Sequence, residues 1–108
     1  MATNYKVLGQ AAPGADTLTT LYTVPPGTSA VCSTISICNR GNTASFRIAV
    51  RPAGAAIANQ HYVVYDNWVN ASDTVFLTIG MTITATDVVS VQSSSTTLSF
   101  SLFGAEVA

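Results

Sequence analysis

Apolar residues recur at every second position through most of this chain. Val31, Ser33, Ile35 and Ile37 alternate with Cys32, Thr34, Ser36 and Cys38. Phe46, Ile48 and Val50 alternate with Ser45, Arg47, Ala49 and Arg51, which sends both arginines away from the core. The pattern returns at Val75, Leu77 and Ile79, at Val89 and Val91, and at Leu98, Phe100 and Leu102. A period of two belongs to strands with one face in a core and one face outside it. No run of ten or more residues offers a helical apolar face, and Ala53 to Asn59 has room for one turn at most.

Between the runs lie Ala-Pro-Gly-Ala-Asp (12–16), Pro-Pro-Gly (25–27), Asn-Arg-Gly-Asn (39–42), Pro-Ala-Gly (52–54), Asp-Asn (66–67), Asn-Ala-Ser-Asp (70–73) and Ser-Ser-Ser (93–95). Proline fixes one dihedral, glycine admits positive φ, and Asn, Asp and Ser bond their own backbone, so each segment reads as a turn. The spacing predicts about eight strands, near 3–8, 17–24, 29–38, 44–51, 60–65, 73–80, 86–92 and 96–104. Short strands with regular turns make a sandwich, jelly roll or barrel. The expected fold is all-β, an antiparallel, jelly-roll-like β-sandwich. Its 108 residues suit one domain, 1–108, with 1–16 taken up by an extended N-terminal arm and the first strand.

Charge narrows the partners. Charged residues make up 8% of the chain, about a third of the usual share, while 48% is hydrophobic. A surface so poor in charge predicts cover by other protein. Four basic residues and a net charge of −1 cannot neutralise a run of phosphates, so nucleic acid is not an expected partner. No apolar run reaches the ~18 residues of a spanning helix, so no membrane is expected either. The opening Met-Ala-Thr-Asn-Tyr-Lys lacks a basic segment followed by an apolar one, the form of an export signal.

Chemistry finds little support. The one histidine, His61, stands beside Tyr62 without a second catalytic group in the pattern, and reads as a hydrogen-bonded sheet residue. Serines are frequent, but no Gly-x-Ser-x-Gly elbow is present, nor a P-loop or GxGxxG, so no catalytic residue and no cofactor is assigned. Asp66, Asp73 and Asp87 each stand in turn sequence, where local backbone bonding competes with a shared calcium site. Asn70-Ala71-Ser72 is a formal glycosylation acceptor that reads as a turn. Cys32 and Cys38, six residues apart on one regular strand, would share a face at a separation of roughly 20 Å at ~3.3 Å per residue. That exceeds the ~7 Å limit of a disulfide, and further Cys or His ligands for a metal are lacking. Two reduced, small thiols are expected. Tyr62, Tyr65 and Trp68 carry two readings, burial in the core or a subunit contact, and a sugar-binding surface.

Leu21-Tyr-Thr-Val-Pro-Pro-Gly-Thr-Ser-Ala-Val31, Ser36-Ile-Cys-Asn-Arg-Gly41, Phe46-Arg-Ile-Ala-Val-Arg-Pro-Ala-Gly54 and Phe100-Ser-Leu-Phe-Gly104 together resemble small virion proteins of tailed bacteriophages, including those of cyanophages. Pro26 departs from that pattern, which more often has a small residue there. The resemblance implies a β-sandwich or jelly-roll subunit made in the host cytoplasm. It would oligomerise with itself, commonly as a trimer, and clamp neighbouring major capsid proteins as a cement on the capsid surface. The expected role is therefore a non-enzymatic capsid decoration protein. The alternative is a receptor- or carbohydrate-binding module of a tail or neck fibre, using Tyr62, Tyr65 and Trp68. Arg40 in a turn, and Arg47 and Arg51 on one outward face, are the expected partner contacts, the latter two meeting acidic groups on a neighbouring subunit or remaining solvated.

Overall fold

The alternating runs become eight strands: β1 (Thr3–Ala11), β2 (Thr19–Thr23), β3 (Ser29–Asn39), β4 (Ala44–Arg51), β5 (Tyr62–Val69), β6 (Thr74–Ile83), β7 (Val88–Ser93) and β8 (Leu98–Val107). The structure, a computed structural model, describes residues 2–108, so Met1 of the expected N-terminal arm lies outside the described residues. Two short 3-10 turns, Pro52–Gly54 and Asn59–His61, link β4 to β5. His61 thus closes a turn rather than lying on a strand.

The strands form two four-stranded sheets, sheet A in the order β1-β8-β3-β6 and sheet B in the order β2-β7-β4-β5. Every pairing between them is antiparallel. First pairs with last, β1 with β8, then β2 with β7, β3 with β6 and β4 with β5. The chain is in effect one long hairpin rolled up into a two-sheet sandwich, which is the jelly-roll order. The two ends of that hairpin meet: the Ala2 N–H donates to the Ala108 carbonyl at 3.0 Å and the Ala108 N–H to the Ala2 carbonyl at 2.9 Å.

Between the sheets lies a single apolar core that includes Ile35, Ile37, Phe46, Ile48, Val89, Val91, Leu98, Phe100 and Leu102. Phe46 of sheet B meets Phe100 of sheet A edge to face, with ring centroids 6.1 Å apart, a favoured aromatic geometry. At one end of the sandwich the buried side chain of Asn39 ties three segments together. Its amide donates to the carbonyls of Asn42 at 2.8 Å, Val69 at 3.2 Å and Asn70 at 3.2 Å. Its Oδ1 accepts from the Gly41 N–H at 3.0 Å and from the Thr97 hydroxyl at 2.9 Å. A buried amide is retained in an apolar core when its donors and acceptors are matched, as they are here.

Sheet A breaks the strict alternation that the sequence suggests. In β3, Cys32 pairs with Gly104 and Thr34 with Phe103, leaving Ser33 as an extra residue. This β-bulge shifts the phase of the strand by one, so residues before it point the opposite way from expectation. Val31 is expected in the core but is 40% exposed, whereas Cys32 is fully buried beside Ile35 and Ile37. Cys32 and Cys38 therefore face opposite sides of the sheet, not the same side. The extra residue is held by the Ser33 hydroxyl, which donates to the Phe103 carbonyl at 3.1 Å. Neighbouring strands bulge in the same transverse band. Leu8 is extra in β1, and β6 carries one residue more than β3 there, with Gly80 at a φ of 54°.

Turn residues read as strand ends are in two places bulges inside longer strands. Gly80 does not end β6, which continues to Ile83, and Asp66 does not end β5, which continues to Val69. Asp66 sits at a φ of 53°, the left-handed region that short polar side chains tolerate, and provides the extra residue between the pairs Phe46↔Asn67 and Ile48↔Val64. The last strand likewise runs past Gly104 to Val107.

Gly104 is required by the bulge opposite it, since a Cβ at this position would collide with the Val31 carbonyl oxygen, a rigid backbone atom. Gly104→Ala is therefore expected to destabilise the fold by about 3 kcal/mol or more, in the range of overpacked or strained sites. Urea denaturation checks this; a midpoint unchanged from the parent would mean that the bulge can be repaired without loss.

Candidate functional site

β5 is an edge strand of sheet B, and its outer face assembles most of the residues singled out in the sequence. Two rows cross the sheet there. Gln92 of β7 pairs with Arg47 of β4, whose guanidinium reaches Asp66 of β5. Two residues along, Ser45 pairs with Trp68, and its N–H donates to the Ser94 hydroxyl at 2.9 Å. Period-two alternation puts Arg47 and Ser45 on the same outward face while Phe46 and Ile48 point into the core.

Arg47 binds Asp66 with two hydrogen bonds, Nε to Oδ1 at 2.6 Å and Nη2 to Oδ2 at 3.2 Å, the fork geometry of a guanidinium and a carboxylate. The Asp66 bulge is what turns this carboxylate toward β4. The Arg47 guanidinium also lies over the Tyr65 ring, 4.1 Å from its centroid, and Tyr65 meets Tyr62 edge to face at 5.0 Å. The Arg47 hydrogen bond holds the Asp66 carboxyl below its ordinary value. Tyr62, Tyr65, Arg47 and Asp66 are thus one interlocked cluster, and Trp68 stands on the same face with 61% of its surface exposed.

The arginines have partners within their own chain. Arg47 pairs with Asp66, 19 positions further along the same chain. Arg51 donates to the Ser90 hydroxyl at 3.2 Å and to the Ala55 carbonyl at 3.1 Å. Arg40 donates to the Ser99 hydroxyl and the Thr96 carbonyl, both at 2.9 Å, fastening the start of β8. Asp73 and Asp87 accept backbone N–H groups, of Thr74 in one case and of Ala53 and Thr84 in the other, as turn residues do. His61 is buried, and its Nδ1 accepts the Ala58 N–H at 3.0 Å. Among the described residues no three His, Cys, Asp or Glu side chains gather into a group that could hold a metal ion.

Beside the Arg47 cluster lies a small polar cleft of about 150 Å³, lined by Asp16, Ser45, Arg47, Asp66, Gln92 and Ser94 among others. Asp16 reaches it because the Asp16 N–H donates to the Ser93 carbonyl at 2.7 Å, pinning the loop after β1 to the edge of β7. In the sequence Asp16 reads only as a turn residue, and Gln92 as the polar position of a strand. Neither carries a signal of convergence, which arises from the order of strands in sheet B.

The opposite side of the sandwich is different in kind. On the outer face of sheet A a shallow groove of about 480 Å³ is lined by Tyr5, Lys6, Val7, Val31, Ser33, Phe103, Gly104 and Ala105. Lys6 is the one charged residue among these. Tyr5 is 86% exposed, and Phe76 on β6 adds a further exposed ring on this face. Around them stand hydroxyls and a thiol: Thr34, Ser36 and Cys38 of β3 pair with Phe103, Ser101 and Ser99 of β8. The alternation of Tyr5 and Val7 is legible in the sequence, but the outward turn of Val31 depends on the bulge at Ser33.

One further polar contact joins the two sheets. The Tyr22 hydroxyl of β2 donates to the Glu106 carboxylate of β8 at 2.6 Å, and Lys6 Nζ of β1 reaches its other oxygen at 3.3 Å. The Tyr22 hydrogen bond, followed by Lys6, holds Glu106 below its ordinary carboxyl value, while burial and then Glu106 push the Tyr22 phenol above its own. No protein-family model matches the chain, and no curated protein matches it.

Two outcomes follow from these environments. Because the folded-state value of Glu106 is lowered, its contribution to stability is complete above about pH 4.5, its ordinary value, and is lost as pH falls through the lowered folded value. Tyr22→Phe removes the largest cause of that lowering, so the loss of stability between pH 5 and pH 2 should be shallower in the variant, as urea midpoints across that range would show. For the thiols, burial pushes Cys32 up to about 11, while Cys38 is half-buried on the outer face. A thiol reagent at pH 8 should label Cys38 in the folded protein and Cys32 only after unfolding, read by mass spectrometry of the digested protein.

Proposed function

We propose that this chain is a non-enzymatic structural subunit of a tailed-bacteriophage virion. It is a capsid cement or decoration protein that associates with itself as a trimer and seats on the capsid surface across neighbouring major capsid proteins. The observation that carries this reading is the outer face of sheet A. Tyr5, Val7, Val31 and Phe103 form an apolar surface there, with hydroxyl-bearing residues around it and a single lysine at its groove. Exposed apolar surface beside so few charges is what a protein interface looks like before its partner arrives.

Binding energy is the whole of the mechanism. Releasing water from apolar area contributes roughly 25 cal/mol per Å², and serine and threonine hydroxyls are far less costly to desolvate than charges once they find partners. A rigid sheet also has little conformational freedom left to lose on docking. The jelly roll supports the reading only in part, because this architecture serves capsid subunits and lectins alike. The surface, more than the fold, favours assembly over the fibre module.

The reading takes a different contact surface from the arginines singled out in the sequence. Arg47 and Arg51 lie on sheet B and are engaged within the chain, so the docking face is assigned to sheet A instead. Cryo-electron microscopy of the particle that carries this protein tests the assignment. The expected density is a high-copy subunit over the shell with the outer face of sheet A buried. A low-copy position at the tail or neck, or sheet A facing solvent, would overturn it. Val7→Lys with Val31→Lys, both at exposed positions, should leave the melting temperature nearly unchanged and abolish incorporation.

A further inference from the structure

The outer face of sheet B carries a cluster that docking through sheet A leaves unused. Trp68 and Tyr65 are 61% and 59% exposed, unusual for rings of this size unless they meet a ligand or a partner. Next to them is the polar cleft that Asp16, Arg47, Asp66 and Gln92 line. Each of those four side chains ends in a planar group with two or more polar atoms, the shape that binds two adjacent hydroxyls at once. The Asp16 carboxylate, the Gln92 amide and the Ser45 hydroxyl form no side-chain hydrogen bond among the described residues, so they are available to a ligand. We propose that this face is a saccharide-binding site, with the apolar C–H face of a pyranose ring on Trp68 and its vicinal hydroxyls held by Asp16, Asp66, Arg47 and Gln92.

Charge selects among sugars. Asp66 and Arg47 balance each other through their fork, and Asp16 then leaves the cleft with one net negative charge. Sialic and uronic acids would be repelled, so the ligand is a neutral sugar. The site is preorganised, because Tyr62 backs Tyr65, Tyr65 carries the guanidinium and the guanidinium fixes Asp66. Nε and Nη2 of Arg47 face Asp66, so the guanidinium enters the site with its orientation already fixed. The two functional faces lie on opposite sides of the sandwich, so a subunit seated through sheet A would present this site to the surroundings. The inference stands without the capsid reading, since it rests on the residues of sheet B alone.

The test is an NMR titration of the 15N-labelled protein with glucose, galactose, N-acetylglucosamine and their trisaccharides, and with N-acetylneuraminic acid as the anionic probe. At least one neutral probe should shift the Trp68 indole, the Arg47 Nε–H and the Gln92 amide signals, and the anionic probe should bind more weakly. Trp68→Ala and Gln92→Ala should each weaken binding by ~tenfold or more, as loss of a central contact does. Phe76→Ala, on the opposite sheet, should leave it unchanged. Both site residues lie at the surface, and unchanged amide spectra away from the cleft would show that each variant is folded. Absence of shifts with every neutral probe, equal binding by Trp68→Ala, or preference for the anionic probe would each overturn the proposal.

Discussion

One extra residue, Ser33, decides which side chains of sheet A meet the core and which meet the outside. Its hydroxyl and the missing side chain of Gly104 hold the bulge in place, and the strands on either side adjust to it. Because strand alternation has a period of two, an insertion of one inverts everything on one side of it. Val31 moves outward to join Tyr5, Val7 and Phe103, and Cys32 moves inward to join Ile35. Without the bulge the outer face would trade a valine for a thiol and the core the reverse. Its geometry therefore fixes both the packing of the interior and the character of the exposed face.

The small number of charges acquires meaning from where they fall. Lys6, Tyr22 and Glu106 close one part of the sandwich by joining the sheets, while Arg47 and Asp66 stiffen an edge strand on the far face. Exposed ion pairs contribute little to stability on their own, so the Arg47 fork is better understood as positioning than as glue. The interior is held by apolar contact between sheets and by Asn39, whose amide serves as the knot for three segments at one end. Sheet A is left apolar outside and sheet B polar and aromatic outside, giving one thin sandwich two unlike surfaces.

Much of the architecture is legible in the amino-acid order because period-two patterning and turn residues are local signals. The eight strands and the all-β sandwich follow from them, as do the inward positions of Phe46, Ile48, Leu98 and Phe100. What the order conceals is non-local. Asp66 and Gly80 carry the same chemistry whether they end a strand or bulge it, and only the pairing partner decides. The fork from Arg47 to Asp66, the bond from Tyr22 to Glu106 and the approach of Asp16 to Gln92 join residues whose meeting is set by strand order alone. The aromatic trio was visible as a cluster, while its polar neighbours were not.

The rolled hairpin also governs when the exposed apolar face comes into being. The apolar face of sheet A is built from β1, β8 and β3, and β8 is the central strand that the other two flank. Pairing of β1 with β8 joins the first and last of the eight strands, so it carries the largest loop-closure cost among the strand pairs. Until β8 lies between β1 and β3, the groove that these three strands line does not exist. Completion of the fold and creation of the exposed apolar face are therefore one event.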